Sequence, residues 1–313
     1  MTTTPLIFFG TTNLDLCFNV ERLPTPGESL IGSLVRHPGG KGANQAVAAA
    51  RLGLKPKFFT RLGDDASGSV LLRSLTDAGV VTDAVQIAKG EASGSALVMV
   101  GDDGGNMIVI DPGANANVTP EVIDEVADRI EPGSIVVAEM GLPVPALERL
   151  FSLKDSLGFQ LIFNPAPVRP GLPRDAWSKV DFVTPNESET FELTGIEVVC
   201  ADSAAQAASA LLKLGPTAAL ITMGERGAFY ADAKQSFLVP SFPVVVMDTT
   251  AAGDAFNGGF AAGLARGLTV RESVRQAMAV AALCVTKRGA QASMPTAEAV
   301  DEFLNHRTLL EIR

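Results

Sequence analysis

The sequence predicts an α/β fold in which helices cover a mostly parallel β-sheet and a small second β-sheet is attached. Three observations lead to this prediction. Seven short apolar runs rich in Val, Ile and Phe have the composition of strands that are buried on both faces. Helix-like stretches separate these runs, which is typical of parallel sheets that bind ligands at the carboxyl ends of their strands. Two further segments, 28–40 and 93–111, instead alternate polar and apolar residues.

The strand and helix candidates follow one another along the chain. The strand candidates are LIFFG, PKFFT, SIVVAEM, QLIFN, DFVT, AALITMG and PVVVM. The helix candidates are ANQAVAAARLG, SGSVLLRSLTDAG, PALERLFSLKDSLG, AAQAASALLKLG and DAFNGGFAAGLARG. Several of the helix candidates stop at a glycine, as helices often do.

The two alternating segments, ESLIGSLVRHPGG and SGSALVMVGDDGGNMIVID, have the period of half-buried strands. GDDGGN in the second segment is a hairpin signal. We interpret the two segments as a small β-sheet that is inserted into the α/β domain and forms a lid. The predicted α/β domain comprises residues 1–12, 41–92 and 112–313, and the predicted lid comprises residues 13–40 and 93–111.

Composition excludes several classes of protein. The 313 residues are 47% hydrophobic and 19% charged, which is typical of a folded globular chain. The net charge of -10 excludes a general basic surface for nucleic acid or an anionic membrane. Cys17, Cys200 and Cys284 lie far apart and form no C-x-x-C pair, which fits a reducing compartment, and we expect the cytoplasm. The N-terminus lacks a basic region and reads as a first strand, and no apolar run approaches the roughly 18 residues of a membrane span.

The stretch PVVVMDTTAAGDAFNGGFAAG predicts a strand, a turn of small residues and a helix whose first turn contains Asp254. Backbone N–H groups at such a helix start can hold an anion, and an adjacent carboxylate can take a proton from a hydroxyl. The alternative is a tight turn in which Asp254 caps the helix while Gly258, Gly259 and Gly263 allow close packing on the sheet. Spacing alone leaves both interpretations open.

A second motif, PGGKGANQAVAAARLG, contains groups suited to a polar ligand. Gly39 and Gly40 let the backbone approach a ligand closely, Lys41 offers a cation, and Asn44 can pair with vicinal hydroxyls. The spacing is not that of a Walker A loop, and no G-x-G-x-x-G follows a strand. The alternative interpretation is a glycine hinge before an Ala-rich packed helix.

Together, GGKGANQAVAAARLG and DTTAAGDAFNGGF resemble the two signatures of the ribokinase family of carbohydrate kinases, in order and in separation. Other segments that resemble the family run nearly end to end: GTTNLDLCFNVERLPTPGE, TRLGDD, DPGANA, FNPAP, TPNESE, LITMGERG and VTKRGAQAS. The resemblance implies a ribokinase-like three-layer α/β/α fold with a β-sheet lid. It implies ATP-dependent phosphorylation of the primary hydroxyl of a small sugar, with ribose first and fructose, tagatose, deoxyribose or a nucleoside as alternatives. Mg²⁺, K⁺ and a homodimer formed through the lid are implied as well.

The resemblance also assigns roles to residues. Asp254 matches the catalytic base, and the backbone of Ala251, Ala252 and Gly253 matches the anion hole. The residues that match the sugar site are Asn13, Asp15, Gly39, Gly40, Lys41 and Asn44.

On the nucleotide side, Asn186 and Glu189 match an N-x-x-E element that organises Mg²⁺ and phosphates, often through water. The same spacing is that of a helix capping box, and both interpretations can hold together. The residues that match the nucleotide site are Thr222, Gly224 and Gly227. The residues that match the monovalent-cation site are Asp248, Thr250, Cys284, Gly289 and Ser293.

One departure from the family affects the substrate. Gly141 stands where ribokinases carry a glutamate that contacts the sugar, and Glu139 lies two residues earlier. We expect either that Glu139 partly substitutes as a sugar contact or that a bulkier or differently substituted sugar fills the space above Gly141. A nucleoside kinase would need an aromatic or apolar slot near the lid, but Trp177 and Tyr230 fall in neither lid segment. A non-catalytic sugar sensor is disfavoured by the intact GGKGAN and AAGD elements.

Overall fold

The computed structural model describes residues 3–311, so the outermost ends of the predicted α/β domain, 1–2 and 312–313, lie outside the described residues. Its strands are β1 (Leu6–Phe9), β2 (Asn13–Val20), β3 (Ser33–Gly39), β4 (Lys57–Phe59), β5 (Arg61–Gly63), β6 (Gln86–Ala88), β7 (Ser95–Gly101), β8 (Asn106–Asp111), β9 (Ile135–Glu139), β10 (Gln160–Asn164), β11 (Phe182–Val183), β12 (Ala218–Thr222), β13 (Ala228–Asp232) and β14 (Ser236–Val239). Its helices are α1 (Lys41–Arg51), α2 (Ala66–Asp77), α3 (Pro120–Val126), α4 (Val144–Ser152), α5 (Lys154–Leu157), α6 (Arg174–Trp177), α7 (Glu187–Thr194), α8 (Ala201–Leu214), α9 (Ala252–Ala265), α10 (Val270–Cys284) and α11 (Ala297–Glu311). Within this range, no helix combines the length and apolarity needed to cross a membrane.

The central sheet has eight strands in the order β14-β13-β12-β11-β10-β9-β1-β4. Pairing is parallel from β4 to β12, and β12–β13 and β13–β14 are antiparallel. The predicted mostly parallel sheet is therefore confirmed. The parallel strands bring their carboxyl ends to one edge, where connecting turns can gather polar groups.

Helices cover both faces of the sheet. Leu6 and Phe8 of β1 pack into a core with α1, α9 and α10, whereas Ile7 and Phe9 pack into a second core with α3, α4 and α8. Successive side chains of a strand point to opposite faces, so a strand between two helix layers must be apolar at every position. This explains the continuous apolar runs and confirms the three-layer arrangement.

The small sheet has four strands in the order β3-β2-β7-β8 and lies within the predicted lid segments. β7 and β8 form the hairpin that GDDGGN predicts. β2 is central, pairing antiparallel with β3 and parallel with β7, so Asn13 lies opposite Gly39 and Asp15 opposite His37. This register puts the start of α1 beside the polar end of β2. That the small sheet moves as a lid stays a prediction.

The predicted strand PVVVM is wrong. Residues 243–247 are irregular, and Val245, Val246 and Met247 are 83%, 57% and 60% exposed. No described strand pairs with them, and the N–H of Met247 instead donates to the carbonyl of Val285 at 2.8 Å. The turn before α9 is therefore held by the loop after α10.

The alternative interpretation placed the glycines of α9 against the sheet, but in the structure they pack on helices. A Cβ at Gly258 would lie 2.4 Å from the carbonyl oxygen of Gln45 in α1, and one at Gly263 would lie 2.8 Å from the hydroxyl of Ser273 in α10. Gly259 likewise faces α10. Because Gly258 lets α9 lie directly against α1, the helices that carry the two sequence motifs are in contact.

Candidate active site

The site lies where β1, β9 and β10 end, beside the small sheet. Glu139 and Asn164 are paired as the last residues of β9 and β10. The turn after β1 leads into β2, and α1 follows β3. Polar residues from both sequence motifs therefore converge here, and Asn44 Nδ2 lies 2.9 Å from Asp254 Oδ2.

Asp254 lies in the first turn of α9 and is 7% exposed. Its carboxylate accepts from Asn44 Nδ2 at 2.9 Å and from Gln45 Nε2 at 3.2 Å. Burial raises the pKa of Asp254, and the charge of Lys41 and the two amides only partly oppose that rise. The helix N-cap is Ala251, without a side-chain cap, so the interpretation of Asp254 as a cap is wrong. A buried carboxylate with a raised pKa is suited to act as a general base.

The turn before α9 carries backbone strain. Ala251 has φ 60° and ψ 15°, and among residues 3–311 no other non-glycine residue has a positive φ. Such a conformation costs on the order of 1–3 kcal/mol, and it aims successive N–H groups toward one side. The predicted anion hole needs one correction, because the N–H of Ala252 already donates to the carbonyl of Thr249 at 3.2 Å. No described group accepts the N–H of Gly253, and a Cβ built there would meet nothing within 4 Å, so this side of the turn is open.

Asp15 and Asn13 differ although both lie on β2. Asn13 is buried, and its Oδ1 accepts from Asn115 Nδ2 at 3.1 Å. The partly buried carboxylate of Asp15 accepts no hydrogen bond from any residue in 3–311. Burial, followed by the charge of Asp254, raises the pKa of Asp15 to about 6. A Cβ at Gly39 would lie 2.1 Å from Asp15 Oδ2, so Gly39 makes room for this carboxylate.

Gly40 and Lys41 start α1. Gly40 has φ 93°, and a Cβ there would lie 2.5 Å from Thr12 Cα, so only glycine fits. Burial lowers the pKa of the Lys41 ammonium, but neighbouring carboxylates outweigh burial and the net shift is upward. Those carboxylates belong to Asp254, Glu139 and Glu189. Lys41 is thus a permanent cation among the acidic groups of the site.

Glu139 is fully buried, and its carboxylate accepts from the backbone N–H groups of Thr11, at 2.5 Å, and Gly141. Burial raises its pKa. A Cβ at Gly141 would lie 2.5 Å from Glu139 Oε2 and 2.7 Å from Thr11 Cγ2. The expected open space above Gly141 is therefore wrong, because the carboxylate of Glu139 occupies it. Glu139 ties the turns after β1 and β9 together, and its role as a sugar contact stays a prediction.

Asn186 and Glu189 form the predicted capping box of α7. Asn186 Oδ1 accepts from the N–H of Glu189 at 2.8 Å, and Glu189 Oε2 accepts from the N–H of Asn186 at 2.9 Å. Burial raises the pKa of Glu189. Asn186 also forms a β-bridge with Thr222 at the end of β12, which brings these two predicted nucleotide residues together.

The glycines after β12 have different surroundings. A Cβ at Gly224 would meet nothing within 4 Å, whereas one at Gly227 would lie 2.1 Å from the carbonyl oxygen of Val239. Gly227 therefore has a packing reason of its own. Binding of a nucleotide by either glycine stays a prediction.

The residues predicted for a monovalent cation are brought together. Asp248 accepts from the N–H groups of Thr250 and Gly289, each at 2.9 Å. Cys284 Sγ lies 3.8 Å from the carbonyl oxygen of Thr250 and 3.0 Å from Ser293 Oγ. Two loops meet here, and the carbonyl oxygen of Thr250 is the kind of ligand that a hard monovalent cation takes.

Sequence reasoning missed four buried polar residues. Gln45 contacts Asp254 directly, and Asn164, Thr184 and Asn257 extend that contact into the protein. All four lie in motifs already singled out, namely GGKGANQ, FNPAP, DFVT and DAFNGG. The available signal was an uncharged polar residue at a strand end or in an apolar helix, which needs a partner when buried.

Comparison with known proteins agrees with the fold. The bifunctional ribokinase/ribose-5-phosphate isomerase A of Fructilactobacillus sanfranciscensis is 38% identical over 96% of this chain, which spans 56% of that protein. The ribokinase of Haemophilus influenzae is 36% identical over 96% of this chain and 98% of its own. The structure of Arabidopsis thaliana ribokinase complexed with ribose and ATP superposes with a TM-score of 0.88 at 31% identity, covering 96% of this chain and 99% of its own. The model of the pfkB family carbohydrate kinases matches residues 3–297, so the chain belongs to this family.

Proposed function

We propose that this carbohydrate kinase transfers the γ-phosphoryl group of ATP to the primary hydroxyl of ribose and forms ribose 5-phosphate. The observation that carries the proposal is the buried carboxylate of Asp254, held beside an open helix N-terminus and within electrostatic reach of the unpaired carboxylate of Asp15. The similarity to ribokinases over nearly the whole chain supports ribose as the sugar.

In the proposed reaction, Asp254 accepts the proton of the primary hydroxyl as the hydroxyl oxygen bonds to the γ-phosphorus. The bond from that phosphorus to the bridging oxygen of ADP breaks. The raised pKa of Asp254 improves it as a base, and its two amide donors keep it in place. The open N–H of Gly253 and the positive end of α9 offset charge on the phosphoryl group. Positioning supplies most of the rate in such transfers.

Sugar recognition is assigned to groups that lack protein partners. Both oxygens of the Asp15 carboxylate can accept from vicinal hydroxyls. The Nδ2 of Asn44 donates to Asp254, while its Oδ1 is buried without a hydrogen-bond partner in the described chain. A sugar hydroxyl could donate to this oxygen. Lys41 supplies a cation near the carboxylate of Asp254.

ATP is assigned to the side of the site formed by Asn186, Thr222 and Gly224. Glu189 is the carboxylate available there for Mg²⁺, which prefers oxygen ligands and keeps several waters, so contact through water fits. Bound Mg²⁺ would offset phosphate charge. K⁺ is assigned to the site where Asp248, Thr250 and Gly289 come together.

A homodimer is assigned to the small sheet. The edge strand β8 exposes four consecutive large apolar residues, Met107, Ile108, Val109 and Ile110, each about half exposed or more. An exposed apolar edge is prone to pair with another copy. A cytoplasmic location is proposed because the three cysteines are free thiols and unpaired with one another.

The test is an ATP-consumption assay with ribose, 2-deoxyribose, fructose, tagatose and adenosine as acceptors. Ribose should give the highest kcat/KM. Asp254→Asn should lower kcat by about 10² to 10⁴. Asp77→Asn, on the exposed face of α2, is the matched control and should retain full activity. Full activity of Asp254→Asn would refute the role of the base, and preference for another acceptor would refute ribose.

A further inference from the structure

The hydrogen bond from Gln45 to Asp254 is one link of a longer series. Gln45 Nε2 donates both to Asp254 Oδ1 and to Asn164 Oδ1, each at 3.2 Å. Asn164 Nδ2 in turn donates to the carbonyl oxygen of Thr184 at 3.0 Å. The carboxylate is thereby connected to the ends of β10 and β11.

The series returns to the helix from which it started. Thr184 Oγ1 donates to Asn257 Oδ1 at 2.6 Å, and Asn257 Nδ2 donates to the carbonyl oxygen of Gly253 at 2.9 Å. Because Gly253 is joined to Asp254 by a peptide bond, the series is a closed ring. We call it the amide ring, and its side chains are Gln45, Asn164, Thr184, Asn257 and Asp254. All of them are buried.

The ring admits one direction of hydrogen bonding. The carbonyl of Thr184 can only accept, so the NH₂ of Asn164 must face it and the oxygen of Asn164 must face Gln45. Gln45 must then present its NH₂ to both Asn164 and Asp254. On the other side, the carbonyl of Gly253 fixes the NH₂ of Asn257 in the same way. Backbone carbonyls thus impose the orientation of every amide.

This orientation leaves one polar atom of Gln45 without a hydrogen bond. Its Oε1 is buried and has no hydrogen-bond partner in the described chain. A flipped amide would satisfy neither Asn164 nor Asp254, because oxygens would then face oxygens. The ring therefore holds Gln45 as a donor to the carboxylate even though one of its own atoms goes without a partner.

We propose that Gln45 is a positioning residue for Asp254 and that the amide ring fixes the carboxylate and the adjacent turn at Gly253 as one unit. This inference rests on the proposed role of Asp254 as the base. Two donated amide protons favour the ionised carboxylate, which is the form that can accept the proton of a hydroxyl.

Charged and titratable groups on other elements also act on Asp254. Lys41 of α1 favours its ionised form, whereas Asp15 of β2 and Glu189 of α7 oppose it. Burial, and in addition the charge of Asp254, raises the pKa of Cys284 in α10. The variants below leave these groups in place, so a change in titration reports on the amide donors.

The experiment uses Gln45→Met, which keeps the volume of the side chain and removes its NH₂ group. A second variant, Thr184→Val, keeps the shape of the side chain and breaks the ring at a position that does not contact the carboxylate. Gln276→Met is the matched control, because Gln276 is a buried glutamine that donates to the carbonyl of Gly259 at 2.9 Å outside the ring. The readouts are the pH dependence of kcat and the pKa of Asp254 from carbon-13 NMR of its carboxyl carbon. Circular dichroism confirms folding.

For Gln45→Met we expect kcat to fall at least about tenfold and both the acid limb and the NMR pKa to rise by about one pH unit, as expected for the loss of a hydrogen bond to a charged group. Thr184→Val should shift both in the same direction by a smaller amount, and Gln276→Met should shift neither. An unshifted NMR pKa in folded Gln45→Met, or in Thr184→Val if the first variant does not fold, would overturn the inference. Full activity of Asp254→Asn would instead refute the proposed base, and the NMR titration would still decide whether the ring controls the carboxyl group.

Discussion

Replacing Asp15 by asparagine should stabilise the ligand-free protein at neutral and alkaline pH while weakening sugar binding. Burial and the charge of Asp254 raise the pKa of Asp15 from 3.8 to about 6. Between these values the native state binds a proton more tightly than the unfolded state, so stability falls as the pH rises through that range. This rise in pKa corresponds to at most about 3 kcal/mol at pH 8 and about 1.6 kcal/mol at pH 5, and solvent screening of the partly buried carboxyl group reduces both values. Asparagine keeps the shape and removes this penalty.

Urea unfolding at pH 5 and pH 8 measures the effect. The gain in unfolding free energy of Asp15→Asn should be larger at pH 8 than at pH 5 by up to about 1.4 kcal/mol. Asp77→Asn, an exposed change on α2, should give no such difference. The sugar KM of Asp15→Asn should rise about tenfold to a hundredfold, because hydrogen bonds to a charged group are lost. An Asp15→Asn protein that is no more stable than wild type at pH 8 would refute the reasoning.

Four further outcomes are expected. Gly253→Ala should fold normally, because nothing lies within 4 Å of the added methyl, but its kcat should fall as the methyl enters the phosphoryl space; wild-type kcat would show that this space is unused. Gly258→Ala should lose about 1–3 kcal/mol of stability by thermal unfolding, since its Cβ meets the carbonyl of Gln45 at 2.4 Å, and an unchanged melting temperature would contradict this. Glu139→Gln should lose about 1–3 kcal/mol, because an amide NH₂ then faces a backbone N–H, while an unchanged sugar KM would exclude Glu139 as a sugar contact. Activity should fall when K⁺ is replaced by a bulky organic cation, and equal rates would refute the cation site.

The fold was predictable wherever burial follows from the chain pattern alone. LIFFG is apolar at every position because both faces of β1 are covered. The pattern in 93–111 predicted the β7–β8 hairpin but not its burial, because every residue of β8 is exposed although half-buried strands were expected. PVVVM has the same composition as LIFFG, yet Val245 is 83% exposed. Composition cannot report whether a partner strand exists, and residues 243–247 have none in the described chain.

The sequence predicted which residues form the site better than it predicted which contacts they make. Spacing and family resemblance predicted that Asp254, Asp15 and Lys41 lie at one site, and in the structure both Asp15 and Lys41 are within electrostatic reach of Asp254. The reason for Gly141 could not be read from the sequence. It depends on where the carboxylate of Glu139 points, and that direction is set by backbone N–H groups of two separate turns.

The amide ring is a second feature that the sequence did not predict. Asn164 and Asn257 carry no charge and are not among the predicted site residues, so residue type alone gives them no role. Their role comes from direction, because carbonyls that can only accept force each amide to turn its NH₂ one way. Asn164→Asp would keep the size of the side chain but replace the NH₂ donor with an oxygen, which would then face the carbonyl oxygen of Thr184. The chemistry at Asp254 therefore depends on the identity of uncharged residues in the core as much as on the charged residues in the cleft.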